Sequence, residues 1–240
     1  MADPNSKAFL FMYPIPEYFD WLIERSRSLL FNSRKEREYR KRLRNARDLE
    51  VKKCIISEAR KEADQEAKTK ISRYFNACIE ARYIRTGFSI YFALFDGHQI
   101  WSGIQQQPND TSLYVGMTFS AFQTKKADGT FLYPSEDYIL DQLPYSTGKV
   151  TLRIAGFHAS DCVERVARRA YERGLEVLVD EDLTEHLPFC IEKPGFRIDR
   201  FPSIPLIHLT APSPNIQAEI IATRKEKPWL AQWEAHQELK

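Results

Sequence analysis

At 240 residues, with 43% hydrophobic and 12% aromatic content, the chain can bury one substantial core, which excludes a disordered chain and makes one compact domain with an excursion the expectation. Lys and Arg number 35 against 33 Asp and Glu, so the formal charge of +2 excludes any whole-molecule attraction to nucleic acid or membrane, and such an attraction would have to be local. The first seven residues are polar, and the apolar run Ala8 to Tyr13 is far shorter than the roughly 20 residues of a membrane span and too short for a signal-peptide core, so a cytoplasmic protein with no membrane partner is expected.

Ala8 to Met12 is a continuous apolar run closed by Pro14 and Pro16, the pattern of a buried central strand. From Glu17 to Phe31 the spacing of Phe19, Leu22, Ile23, Leu29 and Leu30 suits a helix. Arg34 to Arg47 then carries eight cations against Glu36 and Glu38, a net of +6. Over Leu49 to Arg82, Val51, Ile55, Ala59, Ala63, Ala67, Ile71, Phe75, Cys78 and Ile79 recur at steps of three or four and make one apolar stripe. No Gly or Pro interrupts Glu17 to Arg85, so residues 17–85 read as two or three helices in a charged excursion, an arm that would pack on a second copy in a homo-oligomer.

Phe88 to Phe95 is rich in aromatic and β-branched residues and ends at Asp96-Gly97-His98, which predicts a second buried strand. Ser112 to Val115, ending at Gly116, reads as a short third strand. Asp128-Gly129 is a turn signal inside a β-hairpin insertion over 123–134, and Ser135 with Glu136 and Asp137 opens a helix through Leu143. Val150 to Ala155 reads as a strand, Gly156 to Asp161 as a turn, Cys162 to Arg173 as a helix stopped at Gly174, and Leu175 to Val179 as a strand. This β-turn-α-turn-β unit implies a parallel sheet with a right-handed crossover. Residues 188–240 read as an extended tail with one apolar strand at Leu206 to Leu209 and a terminal helix or docking arm from Asn215.

The four cysteines, Cys54, Cys78, Cys162 and Cys190, lack C-x-x-C spacing, which argues against a zinc site or disulfide framework and suits a reducing compartment. Cys162 differs from the others in its position on the first turn of a helix, where the dipole eases loss of the thiol proton.

Around Cys162 the chain resembles the isochorismatase-like cysteine hydrolases. That pattern has a Gly six residues before a Cys-Val pair, an Ala eight after the Cys, a Gly four beyond it and an Asp eight further on; here these are Gly156, Cys162-Val163, Ala170, Gly174 and Asp182. Ser120-Ala121-Phe122 is similar to the family's Ser-Ala-Phe, and Asp96-Gly97-His98 to its Asp-x-His. The resemblance implies a three-layer α/β/α, Rossmann-like fold with a mainly parallel sheet, to which this chain adds its long charged helical excursion. It also implies a cysteine hydrolase of a small amide or related C–N substrate that needs no cofactor. The sequence departs from the family at two positions: Tyr13 stands where it has a proton-accepting Asp, and Gly116 where it has a Lys.

The candidate catalytic residues are therefore Cys162 as nucleophile with Asp96 or His158 as an atypical base. Tyr13, Gly116, Phe122 and Asp161 are the candidate substrate contacts, with Asp161 also placed to cap the helix that follows it. Asp96 and His98 offer an oxygen and a nitrogen donor to a divalent ion, but two ligands do not make a site, and no metal is assigned. Two other readings stay open. One is a catalytically silent domain that binds a ligand or oligomerises. The other is nucleic-acid binding through 34–47, with Asp96, Asp161 and Asp182 as acids of a PIN-like nuclease.

Overall fold

A computed structural model describes residues 7–144, 150–201 and 213–231. The chain is an α/β protein built on a five-stranded, all-parallel sheet: β1 (Lys7–Met12), β2 (Ser89–Leu94), β3 (Thr111–Tyr114), β4 (Thr151–Gly156) and β5 (Glu176–Thr184), in the order β3-β2-β1-β4-β5. Strand β1 is central because both its faces are apolar, so Leu10 can lie in register between Tyr91 and Ile154 with neither face reaching solvent.

Three helices join β1 to β2: α1 (Pro16–Leu30), α2 (Ser33–Asn45) and α3 (Leu49–Arg82). Pro16 begins α1 at a position where its missing N–H is not needed. The Asn32 side chain accepts from the Arg34 and Lys35 amides to cap α2, and Asp48 caps α3 through Glu50 and Val51. Two short helices follow β3, α4 (Phe119–Gln123) and α5 (Glu136–Asp141); α6 (Cys162–Glu172) joins β4 to β5. Beyond β5 come α7 (Leu187–Cys190) and α8 (Pro214–Lys225). The β1-to-β2 and β4-to-β5 connections run in opposite directions across the sheet, so right-handed crossovers put α1 and α3 on one face and α6 on the other. Phe9 stacks on Tyr83 and Phe11 on Phe75, which fixes α3 against the odd-numbered face of β1.

Residues 17–85 divide into two parts. Helix α1 and the 67–82 half of α3 belong to the core, where Phe19, Ala67, Phe75, Cys78 and Ile79 are buried. Helix α2 has no buried residue, and with the first half of α3 it stands away from the sheet as a two-helix arm. In the 123–134 segment one antiparallel bridge, Lys125 to Phe131, encloses the Asp128-Gly129 turn. The expected strand at Leu206 to Leu209 lies outside the described residues.

Strand β5 runs five residues beyond the expected Val179. Those residues include Asp180, Glu181 and Asp182, whose charges suggest a loop, yet all three are buried. Each meets an arginine: Asp180 pairs with Arg153 and accepts from Tyr83 Oη, Glu181 takes both terminal nitrogens of Arg224 at 2.7 Å, and Asp182 takes those of Arg82 at 2.8 Å. Arg82 also donates to the Arg197 and Ile198 carbonyls, so three of its nitrogens are engaged. Strand alternation sends Asp180 and Asp182 toward α3 and Glu181 toward α8. The β4–β5 register shifts here, with Ile154 opposite Val179 but Gly156 opposite Thr184.

Candidate functional site

In an open parallel sheet the crevice forms where the strand order reverses, outside the carboxyl ends of the strands. Here that point lies between β1 and β4, and it brings Tyr13 to the turn that precedes Cys162. The turn hugs β1: the Phe157 amide donates to the Met12 carbonyl at 3.0 Å. Gly156 has φ +113°, and a Cβ there would lie 2.1 Å from that same carbonyl oxygen, so only glycine fits. A cis peptide joins Phe157 to His158. The His158 carbonyl then accepts from the Asp161 and Val163 amides, and α6 begins.

The Cys162 thiol sits on the first turn of α6 but is only 3% exposed. Burial pushes its pKa up to about 12, Asp161 and Glu136 push the same way, and Arg165 offsets only part of this. The easing expected from the helix dipole is thus outweighed, and the group is a neutral thiol near pH 7. The Asp161 side chain makes no capping bond to α6, contrary to expectation; its Oδ2 accepts from Tyr133 Oη at 3.0 Å.

Tyr13 is a non-glycine residue at φ +53°, buried and stacked on Phe95 at 4.3 Å. Burial, then the neighbouring Cys162 and Tyr18, hold its phenol well above the usual tyrosine range, so it offers no acceptor for the thiol proton. Gly116 has φ +71°, and a Cβ there would meet the Tyr138 ring at 3.2 Å, so a lysine at this position would be strained and crowded. Its amide donates to Asp96 Oδ1 at 3.0 Å, which makes Asp96 a brace between the ends of β2 and β3. His98 Nε2 lies 3.2 Å from Glu17 Oε1.

Phe122 is buried among Phe95, Phe119, Phe131 and Tyr133. With Tyr13, Tyr18 and Phe157 these rings pack the strand ends, Tyr18 lying 5.5 Å from Phe119 and 5.4 Å from Phe157. The Tyr18 hydroxyl is buried within this packing and has no hydrogen-bond partner among the described residues. Asp182 is held by Arg82, away from Asp96 and Asp161. Among the described residues no group of three His, Cys, Asp or Glu could hold a metal ion.

His158 engages a residue that motif reading does not single out. Its Nδ1 lies 3.7 Å from Glu185 Oε1, and the Ala159 amide donates to both Glu185 oxygens. Burial alone would raise the Glu185 carboxyl, but His158, His186 and the Ala159 amide together hold it below the usual glutamate range. Chiefly through burial, His186 is lowered and neutral at pH 7. The only local hint in the sequence is the Glu185-His186 pair just past the strand, because its partner lies 27 residues earlier in the chain. The crevice therefore joins Cys162, Asp161, Tyr13 and Phe122 in one packed region, and places Asp96 with Gly116 and His158 with Glu185 in separate contacts.

No protein-family model matches the chain, and searches of curated proteins and of solved structures return no match either. Among the described residues no helix is long and apolar enough to cross a membrane.

Proposed function

We propose that this chain is a divergent, isochorismatase-like protein that has given up cysteine chemistry and works by binding a partner. The carrying observation is the state of Cys162: the thiol is buried, held neutral, flanked by Asp161, and faces Tyr13 where the resemblance calls for an acid. Nucleophilic catalysis needs a base to take the thiol proton and a cation to steady the developing anion. Tyr13 and Gly116 supply neither. The spacing Gly156, Cys162, Ala170 and Gly174 and the β3-β2-β1-β4-β5 order support descent from such a scaffold. All four cysteines are unpaired thiols, which suits a reducing compartment.

Alkylation tests the reading. Cys54 is exposed and the other three cysteines are buried, so the measurement uses a Cys54→Ser background. With iodoacetamide near neutral pH, mass spectrometry is expected to find Cys162 unmodified until the protein is denatured. A native Cys162 that reacts as fast as a free thiol, or faster, overturns the proposal.

A further inference from the structure

Within the arm, α2 is held to the first half of α3 by polar contacts at the surface. Lys35 and Tyr39 reach Glu62 at 2.6 and 2.8 Å, and Arg42 reaches Glu58 at 2.7 Å. Exposed pairs of this kind contribute little to stability, so they do not explain why α2 stays against α3. Beside them lies a groove of about 300 Å³, with walls made largely by Phe31, Tyr39, Leu43, Ile55, Ile56 and Ala59. Ile56 is 55% exposed, an apolar side chain with no cover.

Helix α2, which forms one wall of this groove, has a one-sided charge. Helix α2 carries seven cations and two anions. Arg34, Lys35, Arg40 and Arg42 have carboxylate partners, whereas Arg37, Lys41 and Arg44 have none among the described residues. These three follow steps of four and three and share one helix face, spanning about 10 Å at a rise of roughly 1.5 Å per residue. Each is one position after a groove-lining residue, Glu36, Arg40 or Leu43, and so lies about 100° around the helix from it. An apolar trough thus runs beside a stripe of unneutralised cations.

We infer that this groove is a docking site for an amphipathic helix of a partner protein, with two or three apolar side chains in the trough and an acidic flank along Arg37, Lys41 and Arg44. The inference deepens the partner-binding reading and rests on it. Charge selects this occupant. A second copy of the chain would bring another strongly basic α2 to the same place, and like charges disfavour that contact. A nucleic acid would use the cations but leave the apolar trough empty, and the only aromatic ring on α2, Tyr39, already lies under Arg42 at 5.1 Å.

The test uses the whole protein and fluorescence anisotropy with a helical peptide bearing leucines at i, i+4 and i+7 and glutamates elsewhere. Comparison probes are the same peptide with lysines for glutamates, a glutamate helix lacking the leucines, and a single-stranded oligonucleotide. The acidic amphipathic peptide is expected to bind, and its affinity to fall about tenfold or more with Ile56→Asp, which puts a charge against the buried leucines. A triple charge reversal at Arg37, Lys41 and Arg44 to Glu is expected to weaken binding and flatten its salt dependence. All four side chains are exposed, so the variants should keep the wild-type circular dichroism spectrum.

Failure of every peptide to bind overturns the inference. So does equal or tighter binding of the leucine-free helix or the oligonucleotide with no effect of Ile56→Asp, which would make the arm a polyanion site. A sedimenting dimer abolished by Ile56→Asp would assign the groove to a second copy and overturn it as well. None of these outcomes depends on Cys162 alkylation, so failure here and failure of the silent-site reading are read separately.

Discussion

Two strand ends on either side of β4 treat charge in opposite ways. At the end of β1, where the resemblance calls for an acid, the chain has a buried tyrosine stacked on Phe95, and the crevice is filled with rings. At the end of β5 it buries three consecutive acids and meets each with an arginine from a different part of the chain: β4, α8 and the end of α3. At the first end the acid that could have served as a base is replaced by Tyr13, and the Cys162 thiol beside it is held neutral. At the second, ionisable groups are abundant but fully committed to one another. Buried charge in this protein ties distant segments together.

The comparison can be strained first at Arg82. Arg82→Met leaves Asp182 buried without its bidentate partner, and removing one member of such a pair costs about 3–5 kcal/mol. Chemical denaturation should show that loss, and adding Asp182→Leu should recover much of it, because well-packed apolar residues often replace a buried pair at little cost. If Arg82→Met were silent, the acids of β5 would not be structural.

A smaller, pH-dependent effect is expected at Glu185. Its carboxyl is lowered in the folded state, so it adds stability above the unfolded value near 4.5 and loses that contribution as pH falls through the folded value. Glu185→Gln should therefore be less stable than wild type near neutral pH, with the gap closing below about pH 4.5 in thermal melts taken across the acid range. A constant gap would mean that the His158 and His186 contacts do not stabilise the charged form.

The smallest effect is expected at Cys162 itself. Cys162→Ala removes one buried sulfur and should cost about 1 kcal/mol, with peptide binding to the arm unchanged. A loss of binding in that variant would couple the crevice to the arm and remove the contrast drawn above.

Much of the fold was legible because its signals are local. Apolar runs bounded by Pro, Gly or Asp-Gly mark β1, β2 and β4, and the stripe from Ala67 to Ile79 marks the half of α3 that enters the core. The end of β5 was not legible, since Asp180 to Asp182 become strand residues only through arginines 27, 43 and 100 positions away. The same holds at the candidate site. That Tyr13 and Gly116 stand at strand ends can be read from the chain, but the burial of Cys162 and the turning of His158 to Glu185 depend on elements that meet only in the folded protein.

The segment after α8 has a consequence for the sheet's outer boundary. With β5 at one end of the sheet order, its far side would present unpaired amides, the template on which strands of other molecules add. The Val179 amide instead donates to the Trp229 carbonyl at 2.8 Å, and the buried Trp229 ring anchors that contact. At the opposite boundary β3 is only four residues long, too short to recruit much. The chain's own segment at Trp229 thereby occupies part of the outer side of β5, and the short β3 leaves little backbone for a foreign strand to pair with at the other boundary.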